Sequence, residues 1–345
     1  IGQAMPDKVR AYSGTLPMRD AHEEMADARL SVTEGLAAPV NAPSPKGSPY
    51  RESFRCGATL FPRMLCFVEH KTMGRLGPNP NAPMVVSKRS PLEKSPWKNL
   101  DTIENQVEAE FIRPIFLGES ILPYRVLHAF EGIVPISETF EALDSAAANH
   151  ELRQHSKLAE WMKKAEKLWS ENAASDSMTL IGRWNYQRGL TNQFPIPPIR
   201  VVYAASGSQP AAVIVRDEQA VIEHKLYWAT MAGELEANYL CAILNSEAAR
   251  ARAEQYQSRG QFGARDFDKV IFNLPIPRFD AKVKLHADLA AAGARAEAAA
   301  ALVVLKDGEK FQRARKRVRD ALIADGVAGD IEKLVEKLLG PVAAA

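Results

Sequence analysis

The sequence predicts a mixed α+β chain in which a β-rich domain with flanking helices is followed by a helical C-terminal tail. Three observations carry that expectation. Short apolar runs bounded by Gly, Pro and Asn recur between Phe54 and Ile276, as strands require. Apolar residues at helical spacing occupy two intervening blocks, Glu138 to Asn172 and Glu234 to Gln257. From Ala281 to Leu339 the composition turns to Ala, Leu, Lys, Arg and Glu with almost no aromatics.

Residues 1–50 mix a short apolar segment with Gly35, Pro39, Pro43, Pro45, Gly47 and Pro49, which reads as a linker or arm from an upstream domain. The β-rich domain is expected over 51–280 and the tail over 281–345. Within the domain, Ala58–Phe61 and Met64–Glu69 read as buried strand interrupted at Pro62. Met73 to Pro83 is a Gly/Pro/Asn loop, Met84–Lys88 reads as a second strand, Val107–Phe111 leads into the segment Ile112–Gly118, and Ile121 to Ile136 gives two further strand-like pieces. One or two helices follow, anchored by Phe140, Leu143, Leu158, Trp161, Met162 and Leu168. Ile199–Tyr203 and Ala211–Val215 flank Ser206-Gly207-Ser208-Gln209-Pro210 as a hairpin, and strand returns over Ala220–Trp228. A helix through Leu235, Tyr239, Leu240, Ile243 and Leu244 leads to a closing strand at Val270–Ile276. Gly308 and Gly326 divide the tail into three helices, with Leu289, Leu302, Leu305, Phe311, Val318, Leu322, Leu334, Val335 and Leu338 facing inward.

At 345 residues, 46% hydrophobic and 25% charged, the chain is long enough to bury a substantial core. No run approaches the roughly 20 apolar residues that span a bilayer, and the start carries no basic region followed by an apolar one, so a cytoplasmic protein without a membrane partner is expected. A start at Ile1 rather than Met suggests a fragment, a processed product or a chain whose disordered start has been left off. Cys56, Cys66 and Cys241 lie in apolar context without a C-x-x-C or a His at ligand spacing, which points to buried structural thiols rather than metal.

Catalytic patterns are missing. Gly74-Arg75-Leu76-Gly77 opens no helix, Ser206 lacks the surroundings of a nucleophile elbow, and the seven histidines are scattered singly. The carboxylates from Glu151 to Glu171 belong to solvated helix faces.

With a net charge of only +2, nucleic-acid binding has to rest on where positive residues cluster. Gln255, Tyr256, Arg259, Gln261 and Arg265 combine base-edge donors with a stackable ring, among glycines that let backbone approach phosphate. The alternative there is an ordinary helix end at Gly260. Arg183, Tyr186, Gln187 and Arg188 interleave aromatic and polar side chains in a second such segment, whose alternative is a helix end packing Trp184 and Tyr186 into the core. Lys71, Lys88 and Arg89, with Arg75, Lys94 and Lys98 nearby and only Glu93 against them, suit phosphate contacts or a solvated loop. The run Lys310, Arg313, Arg315, Lys316, Arg317, Arg319 reads as a solvated helix before it reads as a DNA contact.

Four segments in order, Lys225-Leu226-Tyr227-Trp228, Glu236 to Ser246, Phe262-Gly263-Ala264-Arg265-Asp266-Phe267 and Leu274 to Asp280, resemble the target-recognition region of Taq-type adenine-N6 DNA methyltransferases. Phe54 to Arg63 looks like the segment that opens such regions, and Glu110–Pro114 with Leu117–Arg125 is similar to the next. The resemblance covers about residues 54–280 and extends to specificity subunits of type I restriction systems.

It implies sequence-specific recognition of double-stranded DNA within a restriction–modification or phage-defence methyltransferase. S-adenosylmethionine would be the methyl donor of the intact parent, and an upstream methyltransferase domain or subunit the partner. Against that family pattern, the chain has neither the glycine-rich cofactor turn nor the Asn/Asp-Pro-Pro-aromatic base clamp: Asn79-Pro80-Asn81 lacks the double proline, and Ile196-Pro197-Pro198 has Ile in place of the polar residue. No cofactor and no catalytic residue are therefore expected in this chain. The competing expectation is a protein–protein subunit of a defence complex with incidental DNA contact. A further one is an enzyme with an unfamiliar active site.

Overall fold

The computed structural model describes residues 8–13, 22–36, 47–71, 77, 79–144, 150–174, 178–204, 211–256, 259–260, 263–264, 269–306 and 308–340. Two compact units divide between Lys46 and Gly47. The first carries more than an arm: β1 (Lys8–Ser13) and β2 (Ser31–Leu36) pair antiparallel, with helix α1 (Glu23–Arg29) between them.

The second unit holds both the β-rich region and the tail. Its chain enters through β3 (Arg55–Cys56), a single helical turn α2 (Arg63–Cys66) and β4 (Phe67–His70). The run expected as one strand from Met64 therefore begins helical. Strands β5 (Met84–Ser87), β6 (Glu104–Gln106) and β7 (Ile112–Phe116) follow, then the short pair β8 (Ile121–Leu122) and β9 (Arg125–Val126), and then β10 (Phe130–Ile133). A 3-10 turn, Ala109–Phe111, leads from β6 into β7.

Helices α3 (His150–Gln154), α4 (Ser156–Asn172) and α5 (Leu180–Trp184) follow. The helical reading fails over Glu138–Leu143. There Ser137 Oγ accepts the Glu141 amide at 3.0 Å, Phe140 takes a left-handed φ of 65°, and Ile136 bridges Ala142, so local side-chain hydrogen bonding wins over helical spacing.

Strands β11 (Arg200–Ala204) and β12 (Ala212–Val215) form the expected antiparallel hairpin. The segment expected as one strand from Ala220 splits into β13 (Val221–Ile222) and β14 (Leu226–Thr230), and the two join different sheets. One sheet runs β13-β7-β10-β4-β5-β6 and the other β12-β11-β14-β3. Because side chains alternate along a strand, Val201 and Tyr203 enter one core cluster while Val202 and Ala204 enter another, so both faces of the second sheet are covered. A third cluster packs α4 and α5, through Leu158, Trp161, Met162 and Trp184, on the first sheet.

The long helix expected from Glu234 breaks at Ser246, ending α6 (Glu234–Asn245). Ser246 Oγ accepts the Ala249 amide at 3.1 Å and caps α7 (Glu247–Ala253). A short hairpin, β15 (Arg259–Gly260) with β16 (Gly263–Ala264), comes next. The expected closing strand is instead a 3-10 turn, Val270–Asn273, and an extended segment. Pro275 and Pro277 have no amide to give a sheet, and the carbonyls of Phe272 and Leu274 accept the Ser48 amide instead.

The tail forms three helices, α8 (Lys284–Ala301), α9 (Phe311–Asp325) and α10 (Val327–Leu339), with Gly326 at φ 88° between the last two. Leu289, Val318, Leu322 and Val335 are buried and Leu305, Phe311, Leu334 and Leu338 partly so, whereas Leu302 is 82% exposed just past the end of α8. Helices α8 and α6 approach closely at Gly293, where a Cβ would lie 2.3 Å from the Asn238 carbonyl oxygen. Cys66 and Cys241 are buried as expected, but Cys56 is exposed because β3 is an edge strand.

Candidate nucleic-acid interface

At the C-terminal end of α5 the chain makes a tight loop whose scaffold is buried and whose tip is solvent-facing. Asn185 Oδ1 accepts the amides of Leu190 at 3.2 Å and Thr191 at 3.0 Å and the Thr191 hydroxyl at 3.1 Å. Gln193, fully buried, donates to the carbonyls of Gly189 at 2.8 Å and Ile222 at 2.9 Å and accepts the Ile222 amide at 2.8 Å. Gly189 packs so tightly that a Cβ would sit 2.7 Å from the Gly57 carbonyl oxygen, and the Thr59 amide donates to the Trp184 carbonyl. The loop is thereby locked to the entry strand and to β13.

On this base Gln187 (φ 52°) and Arg188 (φ 59°) adopt left-handed backbone. Consecutive non-glycine residues in that region cost roughly 1–3 kcal/mol each and persist only where the surroundings over-determine them. Tyr186 is 46% exposed, Gln187 and Arg188 are exposed, and Arg183 is half-buried. None of the four side chains makes a hydrogen bond or ion pair among the described residues. Trp184 is buried, so the helix-end alternative holds for Trp184 and fails for Tyr186.

Arg183, Tyr186 and Gln187 line an open depression of about 560 Å³ with Arg55, Cys56, Asn192, His224, Lys269 and Glu52. Three cations thus face one carboxylate there. At its margin, His224 Nδ1 pairs with the carboxylate of buried Glu223, whose other oxygen accepts the Lys225 amide at 3.0 Å. Arg55, His224 and Lys269 carry no local signal of this role in the sequence; tertiary packing brings them beside the 183–188 loop.

The second expected segment is a hairpin and not a helix end: Gly260 pairs with Gly263 and Arg259 with Ala264. Gln255 and Tyr256 belong to the 3-10 turn leading into it, and Tyr256 is 38% exposed. Gln261 and Arg265 lie outside the described residues. Lys269, further along the chain, lines the depression.

The third group, apart from Arg75, which lies outside the described residues, is elsewhere and is opposed by more than Glu93. Lys71 Nζ reaches both oxygens of Glu104 at 2.8 and 2.6 Å, and Lys88 pairs with Glu69 at 3.1 Å while lying over the Phe130 ring. Arg89 donates to the Lys98 carbonyl. The tail's basic run is likewise engaged: Lys316 pairs with Asp320 and Arg317 with Glu309, while burial lowers the Arg315 pKa to about 10.

Among the described residues no group of three His, Cys, Asp or Glu side chains gathers as a metal site, and no helix is long and apolar enough to cross a membrane. No protein-family model matches the chain, and no curated protein does. Among solved structures, it aligns with a Type IIL restriction-modification enzyme, MmeI, in complex with DNA. The TM-score is 0.48 at 12% identity, over 68% of this chain and 29% of that one. The chain thus spans less than a third of that enzyme's length.

Proposed function

We propose that this chain is the DNA target-recognition part of an adenine-N6 DNA methyltransferase of a restriction–modification or defence system. It positions double-stranded DNA for a methyltransferase domain or subunit that binds S-adenosylmethionine. The observation that supports this best is the 183–188 loop: solvent-facing Arg, Tyr and Gln side chains, without partners among the described residues, held on a buried hydrogen-bonded base in costly backbone. Such an arrangement spends stability to present base-edge and stacking groups in fixed positions. The order of the segments that resemble the methyltransferase recognition region supports the finer assignment. The 255–265 segment serves in this reading as the second recognition element, because Arg259 and Arg265 carry the paired donors that suit guanine and Gln261 the amide that suits adenine.

The test is duplex binding by the full chain across a salt series, with Arg183→Ala and Arg259→Ala on single-base variants of a selected target. Affinity should fall log-linearly with salt, and each substitution should cost about 1–3 kcal/mol of discrimination at one base pair. Calorimetric titration with S-adenosylmethionine should give no binding. Salt-insensitive association overturns the DNA reading in favour of a protein–protein module, and micromolar cofactor binding overturns the division of labour.

A further inference from the structure

Beside the depression just described lies a second one, of about 280 Å³, which shares Arg55 and Asn192 with it. Its other polar lining groups are the hydroxyls of Ser53 and Thr230, and no lining residue is a carboxylate. The sheet dictates this grouping. Arg55 on edge strand β3 stands directly opposite Trp228 of β14, and Thr230, two residues further along, shares that face. Asn192 arrives from the other side on the 3-10 turn Thr191–Gln193, whose flanking residues are fixed by Asn185 and Gln193. None of the side chains of Ser53, Arg55, Asn192 and Thr230 makes a hydrogen bond or ion pair among the described residues. Trp228, only 4% exposed, also lines the depression, and its buried indole N–H has no partner among the described residues.

One guanidinium, one amide and two hydroxyls converging without an acid are complementary to an anion with several acceptor oxygens. We infer that this second depression is a phosphodiester subsite for the DNA strand flanking the bases read by the 183–188 loop, with Arg55 supplying the charge. The inference rests on the DNA reading proposed above. It adds a contact that fixes register and carries no sequence information. Lined by polar groups and shared with the reading depression through Arg55 and Asn192, the subsite would hold the backbone while the adjoining side chains face base edges.

The experiment measures binding of a random-sequence DNA duplex to the full chain over a potassium chloride series, for the parent, Arg55→Gln, Arg55→Lys and Asn192→Asp. Removing one phosphate contact should lower the salt slope by about one unit, so the affinity lost on a fourfold rise in salt shrinks by roughly 3.5-fold in Arg55→Gln. Arg55→Lys should keep the parent slope, because a phosphate accepts either cation. Asn192→Asp places a carboxylate in the subsite at an exposed turn and should weaken binding to all sequences alike; it carries the test if Arg55→Gln does not fold.

A parent with a steep slope that is unchanged in both Arg55→Gln and Asn192→Asp overturns the subsite while leaving the DNA reading intact. A parent without salt-dependent binding overturns the DNA reading itself, and the subsite with it. Inorganic phosphate, added at constant ionic strength, should displace DNA no better than chloride does. Stronger displacement that is lost in Arg55→Gln, while the DNA salt slope of that variant stays at the parent value, would reassign the depression to a free anion and overturn the phosphodiester.

Discussion

Replacing Gln193 with Leu tests whether the loop scaffold is as tightly built as its hydrogen bonds indicate. The two side chains are close in volume and Gln193 is fully buried, so the main loss is polar. Three hydrogen bonds disappear, those to the Gly189 and Ile222 carbonyls and that from the Ile222 amide. The Ile222 carbonyl keeps the Ala58 amide as a partner at 2.8 Å, which leaves the Gly189 carbonyl and the Ile222 amide unsatisfied. At roughly 1–3 kcal/mol for each buried unpaired group, the substitution should cost about 2–6 kcal/mol before relaxation. Urea unfolding of the full chain measures it as a lowered midpoint at unchanged slope. The folded variant should also bind duplex DNA more weakly, since Tyr186 to Arg188 rest on the same turn. A stability loss below about 1 kcal/mol would mean that water or an alternative rotamer satisfies these groups, and the rigid-scaffold argument would fail.

Two further perturbations probe the tail and its junction with the β-rich region. Gly293→Ala inserts a methyl group against the Asn238 carbonyl and should destabilise by about 1–3 kcal/mol, although alanine is the better helix former; a neutral or stabilising result in thermal melts would show that α8 moves away freely. His286 accepts the Asp280 amide on Nδ1 at 3.1 Å, a bond that needs the neutral ring, and burial lowers its pKa, against the opposing pull of Asp280. Protonation therefore favours the unfolded chain. The stability from this group should be full above its ordinary pKa of about 6.5 and decline as pH falls below it toward the folded-state value. His286→Gln should flatten that decline in urea midpoints taken between about pH 7 and 5, and parallel curves for parent and variant would refute the assignment.

Local patterning was enough to determine the α+β class, the β11–β12 hairpin and the three tail helices with the break at Gly326. Each depends on interactions within a few residues: apolar periodicity, turn glycines, a composition shift. The same local logic failed wherever a polar partner competed with the pattern. Ser137 turned Glu138–Leu143 away from helix, Ser246 cut one helix into two, and Ser48 took the carbonyls that a closing strand at Val270–Ile276 would have used.

The candidate interface was legible in part. Arg183, Tyr186 and Gln187 stand out as aromatic, basic and amide side chains in succession, yet their composition says nothing of the buried base that aims them. Lys71 and Lys88 looked available because Glu104 and Glu69 are distant in sequence or on the neighbouring strand, and only β-strand pairing places those carboxylates beside them. Arg55, Asn192, Thr230 and Lys269 come from four separate stretches of chain. Sheet register sets Arg55 against Trp228, and the fixed turn at Gln193 brings Asn192 across. The sequence by itself determined which side chains were available, because that depends on residue type and local pattern. Only the tertiary structure decided which of them share a surface and which are neutralised, because that depends on pairings between residues far apart in the chain.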